Sequence, residues 1–200
     1  MTLTDLRSAV VRLVDLRKWR QGVEFLAAEF MSGFEAVHGY PPGEHTVAHV
    51  LAGESAAAAE ALAGRGLPGP LLEYYGHLGS VALPDLDNGI WIDDAASLAA
   101  QVEAGNYPNR LTGAVDDTVS VFATDGGGGM YALSHATGRI YHLTAGALVG
   151  STYDLNETGY RIANEDLWSF LEQLHARLAA AVEAQQAALR EAHGRVETGT

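Results

Sequence analysis

A run of four glycines between two strand-like segments is the feature that most constrains the fold of this 200-residue chain. The stretch "VFATDGGGGM" (residues 121–130) belongs to three short runs, "TVSVFAT", "MYALS" and "RIYHL", which are divided by "DGGGG" and "HATG". All three runs are rich in β-branched and aromatic residues, as strands are. Connections this short join antiparallel strands. The sequence therefore predicts an antiparallel meander over residues 118–143.

A glycine run after a strand can also bind a phosphate. A Walker loop needs a lysine and then a serine or threonine after its last glycine, whereas Met130 and Tyr131 stand there. A dinucleotide fingerprint needs a following helix, and a second strand follows instead. We therefore interpret Gly126, Gly127, Gly128 and Gly129 as a structural turn in which glycine permits positive φ, and we expect no nucleotide or other cofactor.

Helical periodicity brackets this β region. Apolar residues recur at steps of three and four from Leu3 to Val37, which predicts a long amphipathic helix ended by "HGYPPG". We expect its stripe to pack on the rest of the chain beside a long C-terminal helix, with a homodimer through the N-terminal helix left open. Asn164 is placed to cap the C-terminal helix, and "GRVETGT" is expected to be a frayed tail.

Four further elements are predicted between these helices. "EHTVAHVLAGESAAAAEALAGRG" reads as an alanine-rich helical region, and "GPLLEYYGHLG" reads as a short helix closed by Gly79. "GIWI" is a strand candidate, and "DDAASLAAQVEAG" is a small helix with acidic residues at its N-terminus, where the helix dipole favours them.

The charge balance narrows the class of partner. The formal net charge is −13, which disfavours nucleic acid and anionic membranes. There is no cysteine, and no apolar run approaches the length of a membrane span, so a cytoplasmic protein is expected. Between Asp85 and Asp125 there are seven Asp, one Glu and a single basic residue, Arg110. This stretch is either ordinary solvated surface or an acidic face that steers a basic partner.

Motifs for catalysis or metal binding are incomplete. His45 and His49 have the i, i+4 spacing of a helical metal site, but Thr46 replaces the glutamate of "HExxH". "GESAA" and "GSVAL" each lack part of the "GxSxG" nucleophile elbow. We therefore predict no metal site and no enzymatic activity.

Three segments in order resemble the SUKH (SMI1/KNR4) superfamily. "VSVFATDGGGGMYALSHATGRIYHL" is similar to its signature glycine turn between strands, "GLPGPLLEYYGHLGSVALPDLDNGIWI" to its "LPxxLxxxY" helix and following strand, and "EDLWSFLEQL" to its closing helix. The resemblance implies an α+β fold, with a curved, mainly antiparallel sheet flanked by helices. It divides the chain into an N-terminal helical extension (1–40), a SUKH-like domain (41–180) and the end of the C-terminal helix with a tail (181–200).

The same resemblance implies a non-catalytic protein-binding role. Many bacterial members of the superfamily are immunity proteins that neutralise polymorphic toxins, often nucleases, and fungal relatives act as interaction hubs. A basic toxin domain is the expected partner, with a general interaction or regulatory module as the alternative. The candidate partner-binding residues are Asp85, Asp87, Trp91, Asp93, Asp94, Asp116, Asp117 and Asp125. Trp91 is either a core residue or an interface anchor, since tryptophan is both strongly buried on average and enriched in hot spots.

Overall fold

A computed structural model describes residues 3–50, 57 and 60–198, without the side chains of residues 3–15, 193 and 195–198. The helices are α1 (Leu3–His38), α2 (Gly69–Tyr75), α3 (Ala95–Glu103) and α4 (Leu167–Thr198). The strands are β1 (Thr46–His49), β2 (Leu78–Leu83), β3 (Ile90–Ile92), β4 (Arg110–Gly113), β5 (Asp117–Asp125), β6 (Met130–Ser134), β7 (Ile140–Leu143), β8 (Gly146–Val149), β9 (Thr152–Leu155) and β10 (Tyr160–Asn164). Residues 60–64 are also helical.

The sheet forks at its longest strand, β5. On one side β5 pairs with β6, which continues through β7 to β10. On the other side the C-terminal part of β5 pairs with β3, which leads to β2 and β1, while its N-terminal part pairs with β4, which leads to β9 and β8. Every pairing is antiparallel except that of β4 with β9. The predicted α+β fold with a mainly antiparallel sheet is confirmed.

The predicted meander is present. β5 and β6 form a hairpin whose register places Thr124 opposite Met130, and β6 pairs in turn with β7. The four glycines occupy the connection between β5 and β6. The hairpin interpretation of the glycine run is therefore confirmed, and it fixes the centre of the sheet.

Helix α1 packs along α4, as its apolar stripe predicts. The indole Nε1 of Trp19 donates a hydrogen bond to the carbonyl of Leu171 at 2.6 Å, and Gly33 lies against Gln185 further along both helices. Contacting positions rise together along the two helices, so they run parallel. The buried apolar residues of the two helices include Leu16, Trp19, Val23, Ala27, Phe30 and Phe34 of α1 and Leu167, Leu171, Leu174, Leu178 and Val182 of α4. This part of the stripe is occupied by its own chain, and the homodimer stays an untested prediction.

Two predictions of local structure are wrong. Thr46–His49 is a strand rather than the start of a helix, because pairing with β2 satisfies its backbone and β-branched Thr46 and Val47 suit a sheet. Gly79 lies inside β2, and α2 ends instead at Gly76, whose amide bonds the carbonyl of Leu72. The alanine-rich residues 51–56, 58 and 59 lie outside the described residues.

The ends of α4 also differ from expectation. Asn164 belongs to β10, and Asp166 caps α4 by accepting a hydrogen bond from the Ser169 amide at 2.7 Å. Helical backbone continues to Thr198, so the segment predicted as a frayed tail is helical as far as it is described. Within the described residues, no helix combines the length and the hydropathy needed to cross a membrane.

Candidate partner-binding site beside the glycine turn

The glycine turn binds its own aspartate. The amides of Gly127 and Gly129 both donate to Oδ1 of Asp125, at 2.9 and 2.8 Å. The Gly128 amide donates to the Asp125 carbonyl at 3.2 Å, and the Gly126 amide donates to the Asn88 carbonyl at 3.0 Å. The Asp125 carboxylate thus takes the place that a phosphate would need, and all four amides of the turn are engaged within the chain.

Three of the four glycines are required, and not all for the same reason. Only Gly128 has a positive φ, +82°, and a Cβ there would meet open space. A Cβ on Gly126 would lie 2.1 Å from the Asn88 carbonyl oxygen, and one on Gly129 would lie 2.6 Å from the Asp125 carboxylate. Positive φ, the reason expected from the sequence, therefore applies to one glycine, and close approach of other atoms explains two more.

His142 holds the second oxygen of Asp125. Its Nε2 lies 2.7 Å from Oδ2, and its ring stacks on Tyr131 with 4.5 Å between centroids and 10° between planes. Burial alone would raise the pKa of Asp125, but hydrogen bonds from Gly129, His142 and Gly127 outweigh it and hold that pKa below its usual value. The nitrogen Nδ1 of His142 is buried and has no hydrogen-bond partner among the described residues.

Trp91 lies over this turn. Its neighbours along β3, Ile90 and Ile92, point into the core, and Trp91 is half-buried on the opposite face of the sheet. The indole contacts Gly89 and Gly126, where an added Cβ would lie 2.4 and 3.6 Å from its Cη2 atom. Trp91 is therefore neither a core residue nor a freely projecting one: it is a partly exposed ring fixed on two glycines.

Asp87 stands beside the same turn. It has a positive φ of 55°, and its carboxylate receives two hydrogen bonds from Arg177 of α4, the one from Nε at 2.9 Å. The Asp87 side chain remains 63% exposed. We call Asp87, Trp91 and the exposed residues Gly126, Gly127 and Gly128 the turn surface.

The remaining predicted aspartates are engaged elsewhere in the fold. Asp85 accepts from the Gly43 amide at 2.7 Å and lies 3.0 Å from Nε2 of His45. Asp117 accepts from the hydroxyls of Ser134 and Tyr141, at 2.6 and 3.1 Å. Both carboxylates therefore tie one strand or loop to another.

Asp93 and Asp94 are adjacent in sequence, and the pKa values of their carboxyls are shifted in opposite directions. Asp93 accepts from the Tyr107 hydroxyl at 2.7 Å, and burial raises the pKa of its carboxyl despite that bond. Asp94 caps α3 by accepting from Ala96 and Ser97. Those hydrogen bonds outweigh the effect of burial and lower the pKa of Asp94.

Asp116 is paired with Arg110 at 2.7 Å, and its side chain is 71% exposed. It adjoins the first residue of β5, whereas Asp125 is the last residue of that strand. Nine extended residues separate these ends by roughly 26 Å. The structure therefore brings Asp87, Trp91 and Asp125 together and leaves Asp116 and Asp117 at the other end of β5, so the acidic stretch is not one continuous patch.

A polar cavity of about 270 Å³ adjoins the turn surface between the sheet and α4. Its lining comprises Asp87, Asn88, Gly89, Asp125, Tyr131, His142, Arg161, Ala163, Phe170, Gln173 and Arg177. No local pattern in the sequence indicated the lining residues from β6, β7, β10 and α4. They are separated by up to 46 positions along the chain, and only the register of the strands and the packing of α4 on the sheet bring them together.

Ser55 of "GESAA" lies outside the described residues, and the two histidines noted in the sequence contact carboxylates instead of sharing a metal site. His45 pairs with Asp85, and His49 lies 3.0 Å from Glu24, on a strand rather than a helix. A different pair is joined at 2.8 Å, Ser120 of β5 and the exposed His135 in the turn that follows β6. Within the described residues no group of three His, Cys, Asp or Glu side chains is arranged to hold a metal ion.

No family model matches the chain, and neither curated proteins nor solved structures include a significant match.

Proposed function

We propose that this protein is a non-catalytic binding module that neutralises a basic, nuclease-type toxin domain as an immunity protein. The resemblance of three ordered segments to the SUKH superfamily motivates this function. The observation that carries it is the turn surface, in which a partly exposed tryptophan fixed on two glycines lies at the same turn as an exposed aspartate. Aromatic anchors in a rigid setting dominate binding energy, and exposed carboxylates accelerate the approach of a basic partner.

Asp87 can exchange its ion-pair partner, Arg177, for a basic residue of the toxin. Exposed ion pairs contribute only about 0–1 kcal/mol, so a lysine or arginine of the toxin can replace Arg177 at little cost in stability. The aspartates that cap helices or join strands lack this freedom. Reversing the charge of Asp94 or Asp117 would damage the fold, so charge reversal is informative at Asp87 and Asp116 only.

The first test is protection of cells. The protein is co-expressed with candidate nuclease-type toxin domains, taken from any large toxin gene that adjoins its own, and growth is compared with that of cells expressing the toxin domain alone. We expect growth to be restored and the purified proteins to form a stable complex. Growth arrest despite full expression of both proteins would refute the toxin-neutralising function and leave the general interaction module as the better proposal.

The second test locates the surface on that complex. Asp87→Lys is expected to slow association in low salt and to weaken its salt dependence, because a steering charge has been reversed. Asp116→Lys is the matched control, since it makes the same charge change at an equally exposed, Arg-paired aspartate at the far end of β5. If only Asp116→Lys slows association, the binding face lies at that end and the turn surface is wrong.

Trp91→Ala tests whether Trp91 anchors the toxin in the same complex. We expect a faster off-rate with a stability loss below the roughly 3–5 kcal/mol typical of a fully buried aromatic residue, because the ring is only partly buried. Phe25→Ala is the control, since Phe25 is a 64% exposed aromatic residue on α1. Equal off-rates for Trp91→Ala and the wild type would exclude Trp91 as an anchor.

A further inference from the structure

The polar cavity contains a row of three side chains that the strand register aligns. Tyr131 of β6 lies opposite His142 of β7, and His142 lies opposite Arg161 of β10. Cross-strand partners share one face of a sheet, so the three side chains line the same wall. Gln173 and Arg177 of α4 also line the cavity.

Hydrogen-bond donors are in excess on this lining. Arg161 is exposed and forms no ion pair with any described residue. Its charge and that of Arg177 act on the Tyr131 hydroxyl, whose pKa is nevertheless raised because burial dominates, so the hydroxyl keeps its proton at neutral pH. Guanidinium, hydroxyl and amide groups together present several N–H and O–H donors around one small space.

The two carboxylates of the lining are already compensated. Both oxygens of Asp125 are engaged, one by two turn amides and the other by His142. Asp87 accepts both of its hydrogen bonds from Arg177. Arg161 is thus a charged side chain of the lining that has no oppositely charged partner among the described residues.

We propose that this cavity binds a small oxyanion, a carboxylate or a phosphate group, with Arg161 as its principal ligand. Arginine presents a planar fork of donors that matches either group. The volume of about 270 Å³ lies just below the roughly 300 Å³ at which small-molecule sites begin, which suits a single charged group rather than a whole nucleotide. Asp87 belongs to both the cavity and the turn surface, but Arg161 belongs to the cavity alone, and anion binding is measured without a toxin, so either proposal can fail without the other.

The test is a pair of NMR titrations of the ¹⁵N-labelled full chain, one with sodium acetate and one with inorganic phosphate, at constant ionic strength. We expect saturable shifts of the amides around Arg161, Ala163 and Arg177. Tighter binding of acetate identifies a carboxylate as the ligand group, and tighter binding of phosphate identifies a phosphoryl group. Absence of saturable shifts with both anions would overturn the proposal.

Arg161→Gln should weaken binding about tenfold or more, since a charged hydrogen-bonding group is lost. Arg161→Lys should recover part of the affinity, because it restores the charge without the fork. Arg139→Gln is the matched control: Arg139 is an exposed arginine paired with Glu165, outside the lining, and its loss should leave binding unchanged. Wild-type affinity in a folded Arg161→Gln variant would also overturn the proposal.

Discussion

At the scale of single residues, Asp125 links the turn to the sheet. Its carboxylate receives two amide hydrogen bonds from the turn and one contact from His142. Although burial opposes ionisation, these bonds lower its pKa in the folded state. A depressed pKa means that the ionised form stabilises the fold above the unfolded-state pKa of about 4, and that this stabilisation is lost as the pH falls through the folded-state value.

Asp125→Asn is therefore expected to reduce the free energy of unfolding by about 1–3 kcal/mol at pH 7, since charged hydrogen bonds are lost. The difference between wild type and variant should shrink as the pH is lowered below about 4. Urea unfolding at a series of pH values measures both effects.

Asp93→Asn provides a control of opposite sign. Burial raises the pKa of Asp93, so its ionised form is the unfavourable one in the folded protein. The stability that the protonated form contributes is lost as the pH rises through that raised value. Since asparagine can still accept from Tyr107, Asp93→Asn should be at least as stable as the wild type at pH 7. A loss as large as that of Asp125→Asn would contradict this account of both carboxyls.

At the scale of the element, the β5–β6 hairpin depends on glycine in position-specific ways. Gly128→Ala should cost about 1 kcal/mol, because alanine must adopt a positive φ in otherwise open space. Gly126→Ala should cost more, because its Cβ would collide with the backbone carbonyl of Asn88 and displace the neighbouring turn. Thermal and urea unfolding give the order of the two variants.

Gly64→Ala is the control for that comparison, since an added Cβ there meets nothing within 4 Å and its φ is not positive. We expect a change within about 0.5 kcal/mol. Nucleotides should leave the Tm of the wild type unchanged, because the turn amides are occupied by Asp125 and Asn88. If Gly128→Ala is the more damaging variant, strain rather than close approach controls the turn.

At the scale of the whole molecule, α1 covers one side of α4. Deleting residues 1–38 would expose apolar residues of α4 and leave the Leu171 carbonyl without the Trp19 donor. Exposed apolar surface of this kind drives association, so the truncated protein should aggregate and bind hydrophobic dyes. Size-exclusion chromatography with dye binding measures this outcome, with full-length Phe25→Ser as a control that alters only an exposed position of α1. A truncated chain that remained monomeric and equally stable would show that α1 is dispensable.

Local pattern was sufficient to predict much of this protein. Steps of three and four identified α1 and α4, and the β-rich runs with short glycine-containing links identified the β5–β6–β7 meander, because both periods follow directly from backbone geometry. The failures are also physical. Thr46–His49 became a strand only because the edge of β2 was available to pair with it, and Asp166 rather than Asn164 caps α4 because β10 extends to Asn164.

The candidate site was decided by tertiary structure. Composition and spacing identified the acidic stretch and the glycine run, but they could not show that Asp125 binds the turn, that Asp94 caps a helix, or that Asp116 lies at the far end of β5. The row of Tyr131, His142 and Arg161 has no local signature, since it depends on the register of three strands. Periodicity along the chain specifies which face of an element is buried, whereas the partners of a polar side chain depend on which elements meet, and only the packed fold determines that.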